Sequence, residues 1–185
     1  MSKTNTTEHA EVCQLLKQAH ITLTPEEYAR LEFATFNLSN FRLQGLTLLT
    51  YINTDRYCAK EIIMLPHQTC PEHRHPTITL NDNQTVPGKM ETFRCRWGKV
   101  YLYLEGSNQP NHIQATLPPS SKHHYTVFHE IILNPGEQYT IPPNTLHWFQ
   151  AGDQGAIISE FSSTSRDEYD IFTDPNIQRI DNSNA

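Results

Sequence analysis

The chain has 185 residues, 37% of them hydrophobic and 18% charged, with a formal net charge of −6. That size and balance describe one domain with a substantial core and exclude a disordered or membrane composition. An acidic chain without a basic block is a poor binder of nucleic acid or anionic membrane, and no apolar run approaches the ~20 residues that span a bilayer.

Residues 1–12 are polar and lack the apolar core of a signal peptide. The four cysteines (Cys13, Cys58, Cys70 and Cys95) include no C-x-x-C pair, and the chain is too long to depend on disulfide staples. They are expected to be reduced thiols in a cytoplasmic protein. Residues 8–35 show helical spacing, with Val12, Leu15, Leu16 and Ala19 on one stripe. Thr24-Pro25-Glu26-Glu27 starts a second helix there: a hydroxyl cap, proline at the first position, then acids at the positive end of the dipole. An N-terminal helical segment over residues 1–36 is therefore expected to pack on a β domain over residues 37–185.

From Leu46 the pattern changes to short apolar or alternating runs separated by turn residues, as in a β-barrel or sandwich. Strands are expected at 46–51, 58–65, 68–75, 91–97, 99–104, 125–133, 138–141, 145–151 and 155–161. Trp97-Gly98-Lys99 is expected to be a tight reversal between two of them. Residues 76–89, polar and closing on Pro87-Gly88-Lys89, are expected to loop beside the barrel mouth. Residues 173–185 are expected to fray into a polar tail.

Among ten histidines, two fall at His73-Arg74-His75. Residues two apart on a strand point to one face, so both imidazoles are offered to one ion. Glu91 opens the next strong strand and shares a face with Phe93, Cys95 and Trp97, while His147 lies on a later strand with Phe149. Three histidines and a carboxylate suit a first-row divalent ion and leave positions for water or substrate. Lys89 sits two residues before Glu91 and is a candidate cavity residue. Glu160 ends the apolar run Ile157-Ile158-Ser159, where it is either a rim residue or an inward base. Asp170, Asp174 and Arg179 lie in a polar stretch where surface pairing is the default.

These residues match both motifs of the cupin superfamily. Glu91 is followed by six residues and Gly98; Gly136 is followed by five residues, then Pro142-Pro143-Asn144-Thr145-Leu146-His147. Asn144 replaces the usual glycine, and asparagine tolerates the left-handed backbone needed there. The gap from His75 to Glu91 is longer than the common cupin spacing. The resemblance implies a mainly β, jelly-roll-type cupin barrel.

A narrower resemblance follows from Cys70-Pro71-Glu72-His73-Arg74-His75-Pro76, from the run Pro87-Gly88-Lys89-Met90-Glu91-Thr92-Phe93-Arg94-Cys95-Arg96-Trp97-Gly98, and from Val100-Tyr101-Leu102-Tyr103. Glu160-Phe161-Ser162-Ser163-Thr164-Ser165 and Asp170-Ile171-Phe172-Thr173-Asp174-Pro175 extend it. Over roughly residues 60–180 the chain resembles the D-lyxose isomerase family of cupins. The resemblance implies an aldose–ketose isomerase acting on a free monosaccharide, D-lyxose with D-xylulose, and D-mannose with D-fructose as a secondary pair. It further implies one divalent ion, Mn2+ with Zn2+, Co2+, Fe2+ or Ni2+ as alternatives, held by His73, His75, Glu91 and His147. Lys89 and Glu160 become the catalytic pair and, with Asp170 and Arg179, the substrate-binding set. The protein is then expected to be a cytoplasmic homodimer.

Three rival readings use the same site. A cupin dioxygenase would bind Fe(II) through the same ligands. A non-catalytic sugar-binding or sensory cupin would carry a DNA-binding domain, and the N-terminal helices show no helix-turn-helix. A phosphosugar isomerase would need basic residues for the phosphate; Arg94 and Arg96 lie on the opposite strand face from Glu91, leaving Arg166 and Arg179.

Overall fold

The alternation of apolar side chains is realised as a mainly β fold with a short N-terminal helical segment. The computed structural model describes residues 6–80, 83–107 and 109–179. In chain order these form α1 (Thr6–Gln18), α2 (Pro25–Ala29), β1 (Glu32–Ala34), β2 (Leu46–Asn53), β3 (Cys58–Met64) and β4 (Thr69–Arg74). A short ribbon of β5 (Ile78–Thr79) and β6 (Thr85–Val86) follows, then β7 (Glu91–Leu104), β8 (His129–Leu133), β9 (Gln138–Ile141), β10 (His147–Ser162) and β11 (Ile171–Phe172). No helix among the described residues is long and apolar enough to cross a membrane.

Two long strands organise the sheets. The first half of β7 pairs with β9 and the second half of β10, which continues through β3 and β2 to β1. The second half of β7 pairs with β8 and the first half of β10, which continues through β4 to β11. The main core lies between these sheets and takes Leu46, Leu48, Ile62, Phe93, Leu102, Phe149 and Ile158 from both. The strand path is open, with β1 and β11 as edges, so the sheets enclose the core without one continuous hydrogen-bonded ring among the described residues. A second cluster sits behind the first sheet, where Val12, Leu15 and Leu16 of α1 cover Leu49, Ile63 and Ile157.

Several expectations are corrected. The span 8–35 is not helical to its end, because β1 lies inside it and pairs with β2. The expected start at Thr24 holds: its hydroxyl accepts from Glu27 N at 3.2 Å, and Glu27 Oε2 accepts from Thr24 N at 2.8 Å. Trp97-Gly98-Lys99 does not reverse the chain. It is the corner where β7 passes from one sheet to the other, opposite a break in register between Ala151 and Ala156 of β10. Cys95 pairs with Ile158 and Trp97 with Ile157, so Arg96 is an extra residue on that side. Such a bulge inverts the alternation, which turns Trp97 away from the Glu91 face onto the α1 cluster.

Residues 125–128 are not strand; they continue a 3-10 turn at Lys122–His124 and cover the stacked Tyr103 and Trp148. Residues 76–89 contain the β5–β6 ribbon, with Asn81 and Asp82 outside the described residues. Of the expected tail, Asp174 is buried and Ile177 packs on the core; residues 180–185 lie outside the described residues. All four cysteines are unpaired.

Gly98 has φ +69°, and a Cβ there would lie 2.0 Å from the Gly155 carbonyl oxygen. Left-handed backbone costs an L-residue roughly 1–2 kcal/mol before any clash. Gly98→Ala is expected to destabilise the fold by more than about 2 kcal/mol, read as a lowered urea midpoint. An unchanged midpoint would show that the corner relaxes freely.

Candidate metal centre

The two strands that carry the histidines are neighbours in register. His147 on β10 stands opposite His73 on β4, and His75 follows β4 on the same side. The ligand-capable atoms of the three lie within 4.8 Å of one another, all buried. Glu91 enters from the start of β7: its Oε1 is 3.0 Å from His147 Nε2 and 3.3 Å from His75 Nε2. The turn before His147 is tied to the same place, since Asn144, at φ 60° as its substitution for glycine requires, donates its N–H to the His75 carbonyl at 3.1 Å.

Each imidazole is held from behind. Nδ1 of His73 donates to the Pro71 carbonyl at 2.8 Å, and Nδ1 of His147 to the Thr145 carbonyl at 2.9 Å. Nδ1 of His75 meets Asp170 Oδ1 at 2.5 Å. These acceptors fix the proton on Nδ1 and turn the Nε2 lone pairs to the centre, the usual second-layer arrangement of metal-ligating histidines. The result is a set of buried acceptors facing one another: His75 Nε2, His147 Nε2 and Glu91 Oε1 have no hydrogen-bond partner. Such a set could hold a cation between its members, and an N₃O set suits a first-row divalent ion.

In the absence of an ion the two histidines of the pair differ in charge. Burial, then the neighbouring His147 and His75, hold His73 well below the usual imidazole range, so it stays a neutral donor. Burial and Lys89 would lower His75, but Glu91 and Asp170 outweigh them and push it up to about 9. Burial alone would raise Glu91; Lys89, His75 and His147 instead hold it well below the carboxylate range.

His73, His75 and Glu91 line one wall of a small cavity of about 40 Å³. Lys89 is not a solvated loop lysine. Its Nζ lies 2.7 Å from Glu91 Oε2 and 3.1 Å from Glu160 Oε1. Gly88 permits this approach, since a Cβ there would meet the His75 carbonyl at 2.0 Å. Burial opposes the Lys89 charge, but Glu160, Glu91, Asp167 and Asp170 hold its ionisation well above the ordinary lysine value. Lys89 is thus a fixed cation and hydrogen-bond donor.

Glu160 is buried and points inward with Ala156 and Ile158. Asp170 is no surface residue, being 8% exposed at its side chain and locked on His75. Arg179 lines the cavity but is paired with Asp167 at 2.8 Å and Glu32 at 2.5 Å, while Arg94 and Arg96 face outward and exposed, as expected. Asp174 stands apart from the centre, 3.5 Å from His124.

Sequence reasoning did not single out Lys60 and Asp167, which line the same cavity. Lys60 shares the inward face of β3 with Cys58, Ile62 and Met64, a period-two signal that was available. Asp167 sits in an irregular segment with no periodicity to mark it. Phe172, opposite His73 across β11–β4, lies nearly flat on that imidazole, with centroids 5.3 Å apart.

Asp170→Asn is expected to weaken metal binding by roughly 10–100-fold in competition with a chromophoric chelator, because an amide restrains the His75 ring less firmly. Undiminished affinity would show that Asp170 has no part in orienting the ligand.

Comparison with known proteins converges on one family. The family described as D-lyxose isomerase matches residues 25–184. A D-lyxose ketol-isomerase of Cohnella laeviribosi is 62% identical over 169 residues, covering 91% of this chain and 90% of its own. A D-lyxose/D-mannose isomerase of Thermosediminibacter oceani is 60% identical over 171 residues, with 92% and 91% covered. Among solved structures, the unliganded L-ribose isomerase of Cellulomonas parahominis superposes with a TM-score of 0.73 at 15% identity, over 92% of this chain and 91% of that one. At that identity the likeness is one of fold.

Proposed function

This chain belongs to the D-lyxose isomerase family and is an aldose–ketose isomerase; from that premise we propose that it is metal-dependent and interconverts D-lyxose and D-xylulose, with D-mannose and D-fructose as a second pair. The observation that carries this reading is the convergence of three buried imidazoles beside Glu91 Oε1, at the wall of the cavity that Lys89 and Glu160 also line.

His73, His75, Glu91 and His147 would hold one divalent ion, Mn2+ in our reading. When bound, the ion supplies Lewis-acid polarisation of the sugar's carbonyl and neighbouring hydroxyl. The chain's own groups do the rest. Glu160 takes the proton from one of C1 and C2 and returns it to the other, while the hydroxyl proton passes between O1 and O2, through an enediol. Lys89, pinned between Glu91 and Glu160, donates to the sugar oxygen on which negative charge develops. Asp170 keeps His75 aligned, and Arg179 holds Asp167 at the cavity wall. Phe172 and Phe149 close the apolar side and exclude water from the reacting carbons. In this reading the working form is a cytoplasmic homodimer.

The test is incubation of metal-loaded and chelator-stripped protein with a panel of free aldoses, without oxygen, followed by ketose detection. Metal-dependent D-xylulose formation from D-lyxose is expected. Turnover that survives full metal removal would reject the metal role; oxygen uptake without ketose would favour the dioxygenase reading.

A further inference from the structure

The charged groups of the cavity form an alternating ladder. Glu91, Lys89, Glu160, Lys60, Asp167 and Arg179 follow one another along it, with successive separations of 2.7, 3.1, 4.0, 3.7 and 2.8 Å. The ladder is closed at both ends and loose only around Lys60. One of the two loose steps is already filled: Ser165 Oγ accepts from Lys60 Nζ at 3.0 Å and donates to Asp167 Oδ1 at 2.5 Å. A hydroxyl thus spans an ammonium–carboxylate gap of this size. The other step, Lys60 to Glu160, has no such bridge among the described residues.

An ammonium has three N–H donors. The Lys60 side chain is only 4% exposed, and Ser165 is its hydrogen-bond partner among the described residues. A hydroxyl sits ~2.8 Å from both its donor and its acceptor. A third polar atom therefore fits over the 4.0 Å separation of Lys60 Nζ and Glu160 Oε1, accepting from the first and donating to the second.

We propose that Lys60 and Glu160 together grip the sugar hydroxyl on C3, and that Lys60 thereby sets the configuration accepted at that carbon. The inference rests on the reading that C1 and C2 react beside Glu160, because the next hydroxyl along the carbon chain is then the one on C3. Inverting C3 directs its hydroxyl away from the gap. A buried donor and a buried acceptor then lose their partner, which penalises the wrong epimer more than a missing contact in water would. Lys60 becomes a specificity-determining residue that favours D-lyxose over its C3 epimer, D-arabinose.

The test compares kcat/KM for D-lyxose and D-arabinose in the metal-loaded wild type and in Lys60→Met. The D-lyxose preference is expected to fall at least roughly tenfold, the worth of a hydrogen bond to a charged group. Lys60→Gln, which keeps a donor, is expected to recover part of it. The wild type is expected to lose at least about tenfold on the 3-deoxy analogue of D-lyxose, a comparison that needs no variant to fold. An unchanged preference in Lys60→Met, or equal losses on both sugars, would overturn the proposal, as would wild-type indifference to the 3-deoxy analogue. Wild-type protein that makes no D-xylulose from D-lyxose would instead reject the isomerase reading on which the proposal stands.

Discussion

Glu160→Gln is expected to lower kcat by roughly 10²–10⁴-fold, the range for loss of a positioned general base, with metal content unchanged. Glutamine keeps the size of the side chain and an oxygen that accepts from Lys89, now 3.1 Å away, but it cannot accept the proton from carbon. The position is set by register. Glu160 pairs with Lys60 on β3 and Phe93 on β7, and the change replaces none of the proposed ligands. The measurement is steady-state turnover on D-lyxose beside metal analysis of the same sample. Wild-type turnover in D2O is expected to place deuterium from solvent at C1 or C2 of the product, as a base shared with water would. Normal turnover in Glu160→Gln would remove Glu160 from the chemistry; complete lack of exchange under slow turnover would favour a hydride shift.

His147→Ala is expected to release the ion and take activity down to background with it. His147 is fully buried on β10, and its Nδ1 is held by the Thr145 carbonyl just before it in the chain. No other described side chain stands where its Nε2 stands, 3.0 Å from Glu91 Oε1. Alanine leaves two imidazoles and one carboxylate around a widened hole, and an N₂O set loses both affinity and geometry for a divalent ion. His73→Ala is expected to behave alike, since its ring faces His147 at 4.3 Å between centroids. Elemental analysis after gel filtration, paired with the isomerisation assay, checks both. One tightly held ion per chain with a full rate in either variant would mean the ligand set is wrong.

Much of the centre was legible in the chain itself. Residues two apart on a strand share a face, so His73 and His75 announce a pair, and Glu91 with Phe93 announces an inward carboxylate. The proline and asparagine of Pro142-Pro143-Asn144 announce the turn that delivers His147. Where the alternation is broken, the reading fails for a stated reason. A single extra residue at Arg96 inverts the faces and sends Trp97 to the helix side. A glycine that looks like a hairpin turn is instead the bend of one continuous strand.

What the chain alone determined is local and periodic: helix caps, strand faces, turn chemistry, and the donor types fit for a divalent ion. These follow from backbone geometry, which acts over a few residues. What only the tertiary structure decided is which distant charges meet. Lys60 and Glu160, a hundred positions apart, face each other across two paired strands, and Asp170 meets His75 where β11 pairs with β4. Ionic contacts carry no period along the chain; their geometry exists once the strands have found their register.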